Sequence, residues 1–196
     1  MGEPSGLPGR GLAERLALDD RLSTPWRADV YRVMTVCTGN ICRSPMAEVV
    51  LRDRFEAAGL SDQVVVDSTG ISDEESGNPI DPRALRVLQA RGYEVSEHCA
   101  RQVRAEDIGA RDLVLAMTSA HARALRRLAD GGDAEHVRMF RSFDPAAPTD
   151  GPEHRLDVDD PWYGDAAGFE VTMAEVEAAA DAIVDHVRRA LGVRQA

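Results

Sequence analysis

The sequence predicts an α/β protein: a three-layer sandwich on an open four-stranded parallel sheet, with helices on both faces. Two observations carry this expectation. From residue 30 onward, short β-branched apolar runs alternate with longer runs of helical periodicity. The helical runs are bounded by capping and stop residues, and parallel strands joined through helices need right-handed crossovers that cover the sheet.

The elements follow in order. VYRVMTV (residues 30–36) is the first expected strand. Ser44-Pro45 then opens PMAEVVLRDRFEAAG, with Ser44 as N-cap hydroxyl, Pro45 at the first helical position and Gly59 as stop. VVVDSTG (64–70) is a second strand, and DPRALRVLQARG (81–92) a helix capped by Asp81, with Pro82 first inside and Gly92 at its end. DLVLAM (112–117) is a third strand, SAHARALRRLAD (119–130) a helix capped by Ser119, and HVRMF (136–140) a fourth strand. A Pro- and acid-rich stretch, 144–165, precedes a long amphipathic helix over 167–191, in which Val171, Val176, Ala179, Ile183, Val187 and Leu191 recur near the helical period. Residues 1–29 are punctuated by Gly and Pro and are expected to form a flexible N-terminal extension, leaving one domain over 30–196.

Composition narrows the function. The 196 residues suit a single domain, and a 43% hydrophobic content supplies a core. With 34 acidic and 23 basic residues the net charge is −11, and no window of five to eight residues is dominated by cations without acids close by. That excludes the basic stripe by which nucleic-acid binders displace counterions. All 23 cations are Arg. Without Lys there is no Schiff base and no Walker-type phosphate lysine, so phosphate has to be held by Arg or backbone. Three cysteines, Cys37, Cys42 and Cys99, and no cationic leader with an apolar core point to a reducing cytoplasm. No apolar run approaches the roughly 20 residues of a membrane span.

In open parallel sheets the binding crevice lies beyond the carboxyl ends of the strands. The loop after the first strand is CTGNICRSP. A Cys-x5-Arg spacing alone is weak evidence in an Arg-rich chain. Its position between a buried strand and a helix N-terminus is informative, because backbone N–H groups converge there and the helix dipole favours an anion. That field favours the thiolate of Cys37. Arg43 can fold back as a planar fork on two phosphoryl oxygens, and the Ser44 hydroxyl is a donor within reach of the sulfur. Cys42 shares the tight loop, where its sulfur can come close enough to that of Cys37 for a disulfide on oxidation, the alternative being a small apolar filler.

CTGNICRSPMAE (37–48) resembles the phosphate loop of the low-molecular-weight protein tyrosine phosphatases at every position. The likeness runs from about Tyr31 to Leu191 through VDSTG, GNPIDPRA, HCARQV, DLVLAM and DVDDPWYG, in matching order. It implies a flavodoxin-like fold of the phosphotyrosine phosphatase I type and hydrolysis of phosphotyrosine through a cysteinyl phosphate. By that resemblance Cys37 is the nucleophile, Arg43 the phosphate clamp, and Asp160 the general acid, later the base. Thr38, Gly39, Asn40, Ile41, Cys42, Arg43 and Ser44 bind the phosphate, while Asn40, Ser44, Ser68 and His98 hold the loop in shape. Ile41, Glu74, Trp162 and Tyr163 line the cleft, and Cys42 protects Cys37 from irreversible oxidation. The resemblance also implies no metal and no cofactor, a phosphotyrosine-containing protein substrate with a cognate tyrosine kinase, no nucleic-acid or membrane partner, and a monomer or weak dimer. An Arg- and Ala-rich chain without Lys accords with a GC-rich bacterial genome.

An acid makes independent sense, since expelling a phenolate at neutral pH is helped by a proton donor. Asp159 is the adjacent rival, but Asp160 matches the family's Asp-Pro position. His98-Cys99 lacks structural-zinc spacing, and His121, His136, His154 and His186 read as solvated or edge histidines. Two positions depart from the family. Glu74 stands where an aromatic residue usually walls the cleft, and a carboxylate cannot stack on a substrate ring. Thr118 stands where an acid is frequent. An arsenate reductase on this fold would need a cysteine relay after the third strand, where Thr118 and Ala122 to Leu128 stand instead. A protein-arginine phosphatase would carry a polar residue at Ile41. A non-catalytic phosphate-binding or redox-sensing module would have no use for Asp160.

Overall fold

The computed structural model describes residues 30–129 and 134–194. The expected extension over residues 1–29 lies outside the described residues. The sheet has four parallel strands in the order β2-β1-β3-β4, with β1 Tyr31–Cys37, β2 Val64–Gly70, β3 Leu113–Ala116 and β4 Val137–Met139. The helices are α1 (Arg43–Ala57), α2 (Pro82–Ala90), α3 (Ala105–Gly109), α4 (Ser119–Leu128) and α5 (Ala166–Arg194). Three short 3-10 turns lie between β4 and α5, at Phe140–Phe143, Glu153–Leu156 and Pro161–Tyr163. The three-layer α/β expectation holds.

The two-residue period of the strands divides the core. Val33 of β1 and Leu113 and Leu115 of β3 pack with Met46, Val50, Phe55, Phe169 and Met173 on the face covered by α1 and α5. Met34, Val36, Val114 and Ala116 pack with Ile108, Ala122 and Leu125 on the opposite face. β3 is buried along its whole length and β1 along nearly all of it, and strands buried on both faces read as near-continuous apolar runs. β1 lies between β2 and β3, and the chain leaves it at the switch point where crossovers depart in opposite directions.

Local differences from the expected boundaries have physical causes. α1 begins at Arg43 behind an N-cap Cys42 that makes no side-chain capping bond, so Ser44 is not the cap and Pro45 is the third helical residue. Pro is tolerated there because the first turn's N–H groups have no intrahelical acceptor. The cap of α4 is Thr118, whose hydroxyl accepts the His121 N–H at 3.2 Å, one residue before the expected Ser119. Asp81 does cap α2, accepting the Arg83 N–H at 2.7 Å, and Gly92 ends that segment at φ +83°. In α5 Val171 is 54% exposed and leaves the expected apolar stripe; Phe169, Thr172 and Met173 are buried in that turn instead. The short helix α3 was not anticipated.

Candidate active site

β1 delivers Cys37 to the carboxyl end of the sheet, directly opposite Gly70 of β2. The chain then turns through Thr38–Cys42 into α1. The turn is tight enough that Asn40 adopts φ +60°, a left-handed conformation that Asn tolerates better than most residues. Gly70 is required by close approach: a Cβ there would stand 2.7 Å from the Thr38 carbonyl oxygen and 3.1 Å from the Asn40 nitrogen, both backbone.

Asn40 is fully buried, and its polar groups are extensively used. Its amide Nδ2 donates to Ser44 Oγ at 3.0 Å and to Ser68 Oγ at 2.8 Å, while Oδ1 accepts the Arg101 N–H at 3.1 Å. His98 Nε2 donates to its carbonyl oxygen at 2.7 Å. The four expected support residues, Asn40, Ser44, Ser68 and His98, are thus one network. It extends to a residue the sequence reading missed: buried Glu48 accepts from Ser68 Oγ at 2.5 Å. Glu48 lies four residues after Ser44, on the same face of α1, and that spacing was the available signal.

Cys37, 2% exposed, receives the Asn40 backbone N–H on its sulfur at 3.3 Å, and Ser44 Oγ lies 3.1 Å away. The Ser44 hydroxyl also reaches the Thr69 carbonyl oxygen at 3.2 Å, so its single hydrogen can serve either acceptor. A thiolate here has two donors in range. Burial pushes the neighbouring Cys42 thiol far above its ordinary value, reinforced by Asp81, Cys37 and Asp160. Cys37, Cys42 and the exposed Cys99 are all free thiols.

Arg43 is 4% exposed and anchored by three acceptors. Nη1 donates to the Val158 carbonyl oxygen at 3.2 Å, and Nη2 donates to Thr38 Oγ1 at 3.2 Å and to Asp160 Oδ2 at 2.6 Å. Its buried Nε has no hydrogen-bond partner among the described residues. Asp160 caps the last 3-10 turn, accepting the Trp162 N–H on Oδ1 at 3.1 Å. Cys37, Arg43 and Asp160 line one cleft of about 110 Å³ together with Thr38, Gly39, Ile41, Cys42, Glu74, Glu75, Trp162 and Tyr163. Every expected cleft residue is present, and Glu75 is added. Asp159 is not among the lining residues; its carbonyl oxygen accepts from Thr172 Oγ1.

His121, read from the sequence as a solvated or edge histidine, is instead 7% exposed and hydrogen-bonded through Nε2 to Thr38 Oγ1 at 3.0 Å. Burial, and secondarily the Arg43 charge, lowers its pKa to about 4, so it is neutral. Thr118 and His121 begin α4 directly after β3, and only the adjacency of β3 to β1 brings them to the loop. His136 Nε2 donates to the Ile108 carbonyl oxygen, and His186 packs edge-on against Phe143. Neither lines the cleft.

A buried thiol and a guanidinium converging on a helix N-terminus at the switch point of an α/β sheet define a site for phosphate-ester chemistry. The family model described as low molecular weight phosphotyrosine protein phosphatase matches residues 32–193. The low molecular weight protein-tyrosine-phosphatase of Streptomyces coelicolor is 47% identical over 167 residues, 85% of this chain and 99% of that one. Low molecular weight protein-tyrosine phosphatase A of Mycobacterium tuberculosis is 46% identical over 160 residues, covering 82% and 93% respectively. Among solved structures, a protein tyrosine phosphatase of Entamoeba histolytica superposes with a TM-score of 0.73 at 26% identity, covering 82% of this chain and 98% of its own. A low molecular weight phosphotyrosine phosphatase of Vibrio cholerae gives 0.70 at 30% identity, covering 81% and 97%. The chain belongs to the low molecular weight phosphotyrosine protein phosphatase family.

Proposed function

We propose that this protein-tyrosine phosphatase works through a covalent phosphocysteine, with Cys37 as nucleophile, Arg43 as clamp and Asp160 as general acid and base. One observation carries the reading: Cys37, Arg43 and Asp160, drawn from opposite ends of the domain, line the same small cleft. The phosphoryl group of the substrate would sit against the N–H groups of the loop, with the unpartnered Arg43 Nε available to one of its oxygens. Attack by the Cys37 sulfur forms the S–P bond as the bond to the phenolic oxygen breaks, and that oxygen takes the Asp160 proton. Asp160, now a carboxylate, then accepts a proton from water, whose oxygen displaces the sulfur and releases inorganic phosphate. As thiolate charge returns, the Ser44 hydrogen can turn from the Thr69 carbonyl to the sulfur.

The finer assignments rest on the same ground. The phosphatase domain is assigned to residues 30–196, which the family match over 32–193 supports, and residues 1–29 to an extension outside it. The chemistry needs no metal or cofactor, because sulfur, guanidinium and carboxyl supply every role. Three free thiols suit a reducing bacterial cytoplasm, and none of the described helices is long and apolar enough to cross a membrane. A single chain supplies the whole site, consistent with a monomer or weak dimer. The substrate is a phosphotyrosine protein made by a tyrosine kinase, for whose ring Ile41 offers an apolar floor. Cys42, lining the cleft with Cys37, serves as its disulfide partner under oxidation.

The test is hydrolysis of aryl phosphates by the purified protein in the presence of EDTA. Cys37→Ser abolishes turnover. Asp160→Asn lowers kcat/KM for phenyl phosphate far more than for p-nitrophenyl phosphate, whose leaving group needs little protonation. Equal losses on the two esters remove Asp160 from the acid role. Phosphate binding without turnover identifies a binding module instead.

A further inference from the structure

Arg83, on the first turn of α2, spans a gap in the chain that the reaction cannot do without. The phosphate loop and the segment carrying Asp160 are more than a hundred residues apart in sequence, yet the acid must be held at a fixed distance from the sulfur. Arg83 contacts both sides. On the loop side, the Asp81 backbone N–H donates to the Ile41 carbonyl oxygen at 2.8 Å, fixing the cap of α2 to the phosphate loop. The Asp81 carboxylate is then gripped in bidentate fashion, by Arg83 Nε at 3.1 Å on Oδ1 and Nη2 at 3.0 Å on Oδ2. On the acid side, Arg83 Nη1 donates to the carbonyl oxygens of Trp162 and Gly164, each at 3.3 Å. The guanidinium carbon lies 5.3 Å from the centre of the Trp162 ring and 4.7 Å from that of Phe169 in α5. The turn so held contains Trp162, whose own N–H fixes Asp160 Oδ1.

We propose that Arg83 is a positioning residue that fastens the Asp160 turn to the phosphate loop and so aligns the acid with the leaving group. The inference rests on the acid role assigned to Asp160 above. Its chemistry is specific to Arg. A planar fork can satisfy a carboxylate and two carbonyls while stacking on aromatic faces, whereas a lysine ammonium has neither the plane nor the reach. A shift of about 1 Å in a catalytic group is enough to lower turnover by as much as ~100-fold, so a latch of this kind acts on rate and leaves the phosphate loop itself intact.

The experiment compares phenyl phosphate with p-nitrophenyl phosphate as kcat/KM, which reports the step in which Cys37 is phosphorylated, and measures inhibition by inorganic phosphate in each variant. Arg83→Met is expected to lower phenyl phosphate turnover by about tenfold and p-nitrophenyl phosphate by less than about twofold, within the range a general acid contributes. The inhibition constant for phosphate does not rise, which also reports an intact loop. Arg83→Lys gives an intermediate loss with the same selectivity. On an Asp160→Asn background, Arg83→Met produces no further loss on phenyl phosphate, because the residue acts through the acid. Equal losses on both esters, or a full additional loss on the Asp160→Asn background, overturn the proposal. If Asp160→Asn is itself unselective between the esters, the acid assignment falls and this inference falls with it. If Asp160→Asn is selective and both Arg83 variants are not, only the role of Arg83 fails.

Discussion

Arg43 and Asp160 form an ion pair, with Nη2 2.6 Å from Oδ2, in which the guanidinium is buried and the carboxylate partly open to solvent. The clamp and the acid of the proposed mechanism are thus each other's partners. A phosphate dianion entering the cleft meets a cation already shared with a carboxylate, and it also meets that carboxylate's charge. Asp160→Asn removes the competing charge while keeping the shape. Inorganic phosphate should bind the variant about tenfold tighter, ~1.4 kcal/mol, even as turnover of phenyl phosphate falls. Isothermal titration on the two proteins decides it, and weaker binding to the variant would mean that the pair does not oppose phosphate.

The neutral, buried His121 makes stability depend on pH. Its pKa is lowered to about 4 by burial and then by Arg43, against an ordinary value near 6.5. Between those values the unfolded chain takes up a proton that the folded chain refuses. Stability from this group is therefore intact above pH 6.5, declines as the pH falls through the window, and levels off below about 4. At pH 5 the loss is about 2 kcal/mol. His186 is lowered in the same direction by burial and by Arg138 and Arg189, and adds to the slope. Urea unfolding at pH 5 and 7.5 should show a shallower pH dependence in His121→Gln, with the His186 share remaining.

Gly70→Ala tests the contact between strand and phosphate loop. The added methyl would meet backbone atoms of Thr38, Gly39 and Asn40 at 2.7 to 3.1 Å. Backbone cannot swing away as a side chain tip does, so the loop itself has to move. Turnover should fall by about 100-fold while the far-ultraviolet circular dichroism is retained. Full activity in this variant would show that the loop tolerates displacement.

Glu74 lines the cleft where a ring could stack. Glu74→Trp should lower KM for phenyl phosphate several-fold, consistent with an aromatic pair worth about 0.5–1.5 kcal/mol, with kcat little altered. Steady-state kinetics on the two proteins measure it. An unchanged KM would mean the substrate ring does not reach this wall.

The strands and most helices were legible because their signals are local: apolar runs for the buried strands, Asp81-Pro82 for the start of α2, Gly59 and Gly92 for turns. The residues alone marked the site where they are consecutive, from Cys37 to Ser44, while Ser68, Glu74, His98, Asp160, Trp162 and Tyr163 were named only through the family resemblance. What escaped depends on contacts distant in sequence. His121 touches Thr38 across 83 residues, and Arg83 reaches Trp162 across 79. No period or cap reports such a meeting, which exists only because β3 lies against β1 and α2 against α5. Ser44 misled for a different reason. A serine before a proline matches a helix-start pattern, but here the hydroxyl serves the sulfur and the amide of Asn40, and the helix begins earlier without a side-chain cap.

The three 3-10 turns between β4 and α5 have an evolutionary corollary. Capture of the phosphoryl group belongs to the opening βα unit, whose geometry is frozen by Asn40 and its partners, whereas discharge of the alcohol belongs to a late excursion held by a few side chains. Descendants of this chain can therefore drift in the alcohols they release, by editing residues around Pro161 and Tyr163, without relearning how to grip an oxyanion.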